Sequence, residues 1–95
     1  LLQSSWGIMV GGEETKVRLR FTPEVTRRVK ESMWHPSQTI EDLPDGGCRM
    51  TVKVAHILEM IPWIRSWGPD VEVLDPPELR ENFREWAKKL SEMYR

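Results

Sequence analysis

Apolar and polar residues alternate strictly from Lys16 to Phe21: Val17, Leu19 and Phe21 point one way, and Lys16, Arg18 and Arg20 the other. A period of two is that of a half-buried β-strand. The period then changes. Thr22-Pro23-Glu24 opens a helix, with Thr22 as a capping hydroxyl, Pro23 at the first helical position and Glu24 at the positive helix end. The spacing of Val25, Val29 and Met33 carries this helix to about Met33 and turns Arg27, Arg28 and Lys30 outward. Pro36 ends the unit, because a proline pushes the residue before it, His35, out of helical geometry. Gln38 to Leu43 then reads as extended and Pro44-Asp45-Gly46-Gly47 as a hairpin turn. Cys48 to Ala55 is the returning strand, with Met50, Val52 and Val54 inward and Arg49, Thr51 and Lys53 outward.

Helical spacing returns at Ile57, Met60, Ile61, Ile64 and Trp67, where Pro62 predicts a kink or a late start. Gly68-Pro69-Asp70 stops that helix, and Val71 to Leu74 is a short strand. Asp75-Pro76-Pro77-Glu78 opens a last helix whose stripe runs through Leu79, Phe83, Trp86, Ala87, Leu90, Met93 and Tyr94. So wide a stripe needs something to cover it. The order is strand, helix, strand, strand, helix, strand, then an added helix. Right-handed crossovers turn this into an α+β fold, a ferredoxin-like plait: βαββαβ, a four-stranded antiparallel sheet with both crossover helices on one face. Residues 1–15 read as a linker with one short strand near Trp6–Val10, residues 16–75 as the plait and residues 76–95 as an amphipathic C-terminal helix.

A chain of 95 residues builds one modest core. Fourteen basic and 15 acidic residues leave a net charge of -1, which excludes a histone-like polycation and an acidic tail but leaves room for a local basic patch. The one cysteine, Cys48, excludes an internal disulfide framework and fits a reducing cytoplasm. His35, Cys48 and His56 do not have zinc-ligand spacing, and no metal or cofactor is expected. No apolar run is long enough for a membrane span. The absence of a starting methionine reads as a piece of a larger parent.

The candidate chemistry lies in three places. In this topology the first and third strands are central neighbours, so Lys16, Arg18, Arg20, Arg49 and Lys53 share the open sheet face and can hold phosphates. The competing reading is a solvated face with ion pairs to Glu72 and the last helix. No aromatics interleave these cations, so a base-stacking platform is not expected. Trp34-His35-Pro36-Ser37-Gln38 is the densest cluster of chemically able side chains, read either as a pocket edge or as a helix-terminating turn. The stripe Leu79, Phe83, Trp86 and Leu90 is the candidate interface. Catalytic motifs are missing: there is no nucleophile elbow, phosphate loop or zinc-protease signature, so no enzyme is expected, a small phosphate-hydrolysing plait included.

The strings Arg18-Leu19-Arg20-Phe21-Thr22-Pro23-Glu24-Val25, Trp34-His35-Pro36-Ser37-Gln38 and Leu43-Pro44-Asp45-Gly46-Gly47, followed by Trp63 to Leu74 and Pro77-Glu78-Leu79-Arg80, come in an order that resembles the C-terminal extension of bacterial WYL-domain transcriptional regulators, the WCX domain. Ser5-Trp6-Gly7-Ile8 resembles the segment that joins it to the WYL domain. The resemblance implies a parent with a DNA-binding winged helix-turn-helix, a ligand-sensing WYL domain and this plait. It implies homodimerisation, a nucleotide or single-stranded nucleic acid as effector, and promoter DNA bound only through the N-terminal domain. On that reading Arg18, Arg20, Arg49 and Lys53 supply charge to the effector, and Trp34, His35 and Gln38 shape a pocket edge. The alternative is a pure assembly module with no ligand of its own.

Overall fold

The computed structural model describes residues 14–95, so the short strand expected near Trp6–Val10 and most of the expected linker lie outside the described residues. The alternating segment forms β1, Thr15–Phe21, with Val17, Leu19 and Phe21 buried and Lys16, Arg18 and Arg20 exposed. Pro23–Lys30 forms α1, which buries Val25, Thr26 and Val29. The hairpin follows as β2, Thr39–Asp42, and β3, Cys48–Val54. A 3₁₀ turn over Ile57–Met60 leads into α2, Ile61–Arg65, and a second over Gly68–Asp70 leads into β4, Val71–Asp75. The last helix, α3, spans Pro77–Met93.

The sheet is antiparallel with strand order β2-β3-β1-β4, so β1 and β3 are the central neighbours. This is the ferredoxin-like arrangement with an added C-terminal helix. One core cluster joins Val17, Leu19, Phe21, Met50, Val52, Val54 and Val73 of the sheet to Val25, Val29, Met60, Ile64, Trp67 and Leu79 of the helical layer. Burial of this one sheet face is what the period-two pattern demands.

Two local expectations need correction. The first helix stops at Lys30, and Met33 is 61% exposed rather than buried. The reason is a competition for backbone groups. The Trp34 indole N–H donates to the Val29 carbonyl at 2.9 Å, which a further helical turn would have used. Thr22 stands at the N-cap, but its hydroxyl donates to Asp70 Oδ1 at 2.8 Å, tying the start of α1 to the turn before β4. The second helix starts late, as Pro62 predicts: a 3₁₀ turn precedes only five α-helical residues, because proline is tolerated only in a first turn. His56 precedes that 3₁₀ turn and makes no side-chain cap bond.

The β2–β3 turn forms where expected. Gly46 adopts φ 92°, a left-handed conformation that favours glycine. A Cβ on Gly47 would collide with the Phe21 carbonyl oxygen, so this position packs the hairpin directly against the end of β1.

Candidate functional site

The open sheet face is built of cross-strand rows. In the first row Arg20 lies opposite Arg49, flanked by Glu72 of β4 and Glu41 of β2. Both arginines are neutralised there: Arg20 Nη2 donates to Glu72 Oε1 at 2.6 Å, and Arg49 Nη2 donates to Glu41 Oε1 at 2.6 Å. In the second row Arg18 lies opposite Thr51, flanked by Asp75 and Thr39. Its ion pair to Asp75 is long, 3.8 Å. In the third row Lys16 lies opposite Lys53. Here β4 and β2 have ended, so no outer strand stands beside either lysine. Among the described residues no carboxylate forms an ion pair with Lys16 or Lys53.

Glu72 sits between two guanidinium groups, since Arg80 Nη1 also donates to its Oε2 at 2.8 Å. The bond from Arg80 is the main reason that its carboxyl is held below the usual carboxylate range; Arg20 adds to the effect and partial burial opposes it. Arg80 Nη1 donates to the Val73 carbonyl as well, at 2.8 Å. A side chain thereby occupies a backbone acceptor of an edge strand.

The Trp34 to Gln38 string is a closed turn. Gln38 Oε1 accepts from the backbone N–H of Trp34 at 2.6 Å and of His35 at 3.2 Å, and Gln38 Nε2 donates to the Ser32 carbonyl at 3.3 Å. His35 is 2% exposed. Its Nδ1 accepts the Ser37 backbone N–H at 3.1 Å and lies 2.8 Å from Ser37 Oγ. Ser37 Oγ accepts the Lys53 backbone N–H at 2.8 Å and so pins the end of β3. The helix-ending reading therefore describes what these residues do locally. Trp34 itself turns toward the helical layer, with ring centroids 5.3 Å from Trp63 and 6.0 Å from Trp67. Arg28 stacks over Trp67 at 4.9 Å. Trp34, His35 and Gln38 are thus gathered together, but Trp34 faces the helical layer and the cations face the open side. They do not form one pocket with Arg18, Arg20, Arg49 and Lys53.

The stripe of α3 divides along its length. Leu79 is buried in the core, Phe83 packs against that core, and Trp86 is half-buried. Arg65 of α2 stacks over Trp86 at 4.6 Å. Beyond this the stripe emerges: Leu90 is 36% exposed and Tyr94 82%. Between α3 and β4 lies a groove of about 500 Å³, walled by Val71, Val73, Phe83, Trp86, Ala87 and Leu90, with Arg80 and Arg84 at its rim. Its lining is mostly apolar.

The pattern reading missed Lys16 as a separate element of the basic face, the neutralising roles of Glu41 and Asp75, and the β4 wall of the groove. Alternation did place Lys16 on the right face. How far the flanking strands extend carries no period to detect. Burial pushes the Cys48 thiol up, as expected for an inert core cysteine. Among the described residues no three His, Cys, Asp or Glu side chains are gathered as a metal would require. Nor is any described helix long and apolar enough to cross a membrane.

Comparison with protein-family models matches the WCX domain over residues 13–91. No curated protein matches the chain.

Proposed function

Because this chain belongs to the WCX domain family, we propose that it acts as the regulatory C-terminal module of a WYL-type transcriptional regulator. It contributes to homodimerisation and to sensing of an anionic effector, a nucleotide or a single-stranded nucleic acid. It is cytoplasmic and catalyses no reaction. WYL and helix-turn-helix domains are its neighbours in the parent chain, and promoter DNA is bound through the latter.

The observation that carries this reading is the groove between α3 and β4. An apolar groove with Leu90 on its wall, and Met93 and Tyr94 exposed further along, supports the assembly part of this reading, since exposed apolar patches commonly mark interaction surfaces. The basic sheet face supports the effector part. An effector that binds one dimer arrangement more tightly shifts the population by its differential affinity, about 1.4 kcal/mol for each tenfold difference.

Leu90→Lys tests the assembly part. Leu90 is partly exposed, so the substitution leaves the core intact. Sedimentation equilibrium is expected to show a dimer for the unaltered chain and a shift of at least about tenfold in the dimer constant for the variant, with an unchanged circular dichroism spectrum. A monomeric unaltered chain, or a dimer indifferent to Leu90→Lys, overturns it.

A further inference from the structure

We infer that the Lys16–Lys53 end of the open sheet face is a phosphate-binding site. The inference rests on the effector-sensing part of the proposed function and names where the anion is held and by what chemistry.

Like charges directly opposite each other in an antiparallel pair destabilise it. The sheet contains two such rows, Arg20 opposite Arg49 and Lys16 opposite Lys53. The first row is relieved within the fold, because Glu72 and Glu41 stand on the outer strands at ion-pairing distance. The second is not. β4 reaches only as far as Arg18, through Asp75, and β2 only as far as Thr51, through Thr39. Beyond these rows β1 and β3 continue as a two-stranded ribbon through Val17–Val52, Lys16–Lys53 and Thr15–Val54. Glu14, the next residue with the parity of Lys16, is exposed and forms no ion pair with either lysine. Two exposed ammonium groups therefore share one face about 5 Å apart at the backbone. Arg18 stands two residues along the same strand, held only by the long contact to Asp75. An anion entering between them removes a repulsion that the fold leaves uncompensated.

Charge favours phosphate over carboxylate as the ligand, because two adjacent cations are better matched by a multiply charged anion. The planar fork of arginine matches carboxylate and phosphate alike, but the fold has already committed Arg20 and Arg49 to carboxylates. The ammonium of lysine is a compact point charge and binds phosphate as such. The Lys16–Lys53 row supplies two such charges, with Arg18 placed for a neighbouring phosphate. The backbone beneath Lys53 is fixed by Ser37, which bonds both its N–H and its carbonyl, so one side of the site is held rigidly.

The test compares two double variants, Lys16→Gln/Lys53→Gln and Arg20→Gln/Arg49→Gln. Both remove two positive charges from the same face, so any difference between them reports position rather than net charge. The probes are a fluorescein-labelled single-stranded oligonucleotide, adenosine triphosphate and inorganic tripolyphosphate, titrated at low and moderate salt. The lysine pair is expected to weaken binding about tenfold or more and to reduce the salt slope for the single strand by about 1.4. The arginine pair is expected to change affinity by less than about threefold, because its charges are already neutralised. Binding of the strand alone identifies phosphodiesters as the source, and binding of all three identifies phosphate itself; either outcome supports the site. Equal effects of the two double variants overturn the site and leave the effector reading standing. No binding of any probe by the unaltered chain at low salt overturns both. Circular dichroism and tryptophan emission verify that each variant is folded.

Discussion

A carboxylate held between two guanidinium groups ionises more readily than one in water, and Glu72 is in that position, between Arg80 and Arg20. Its folded pKa is depressed, so the stability it contributes is present above the ordinary carboxylate value of about 4.3 and is lost as pH falls through the folded value. Glu72→Gln is therefore expected to be less stable than the unaltered chain at neutral pH. That difference should shrink as pH drops below about 4 in urea unfolding. A difference that stays constant from neutral to acid pH would show that the charge of Glu72 contributes nothing. The same residue shows the limit of local reading. Its neighbours in sequence, Val71 and Val73, are apolar, while its partners Arg20 and Arg80 come from other elements.

At the scale of elements, the turn after α1 is the instructive case. Met33 satisfies the helical spacing of Val25 and Val29, yet it lies outside the helix and exposed. Periodicity records which positions are apolar; it does not record that an indole N–H competes for the Val29 carbonyl. Gln38 holds the alternative path, since one side-chain oxygen serves the backbone N–H groups of Trp34 and His35. Gln38→Ala is expected to cost about 1–3 kcal/mol in chemical denaturation, because both donors lose their acceptor. A cost under about 0.5 kcal/mol would mean that water replaces the amide without loss. By contrast, β1, the β2–β3 turn and the break at Pro62 were legible, because alternation, Asp-Gly-Gly and a proline act through covalent geometry close in the chain.

For the whole molecule, α3 belongs to the plait at one end and stands clear of it at the other. Removing residues 91–95 is expected to leave the melting temperature nearly unchanged. Removing residues 77–95 takes Leu79 out of the core and should cost at least about 2–5 kcal/mol, the usual loss for a buried leucine. Equal stability of the two truncations would contradict this division. The stripe alone announced an amphipathic helix that needed a cover; it did not show that β4 and Arg65 cover its first half and leave the second open.

The sequence by itself determined the order of elements, the strand faces and hence the gathering of Lys16, Arg18, Arg20, Arg49 and Lys53 on one side of the sheet. Side-chain direction in a strand follows from backbone geometry one residue at a time, so alternation is enough to assign it. Which of those cations are neutralised was decided only by the tertiary structure. Ion pairing depends on where β2 and β4 begin and end beside the central pair, and that register is set by packing between segments distant in the chain.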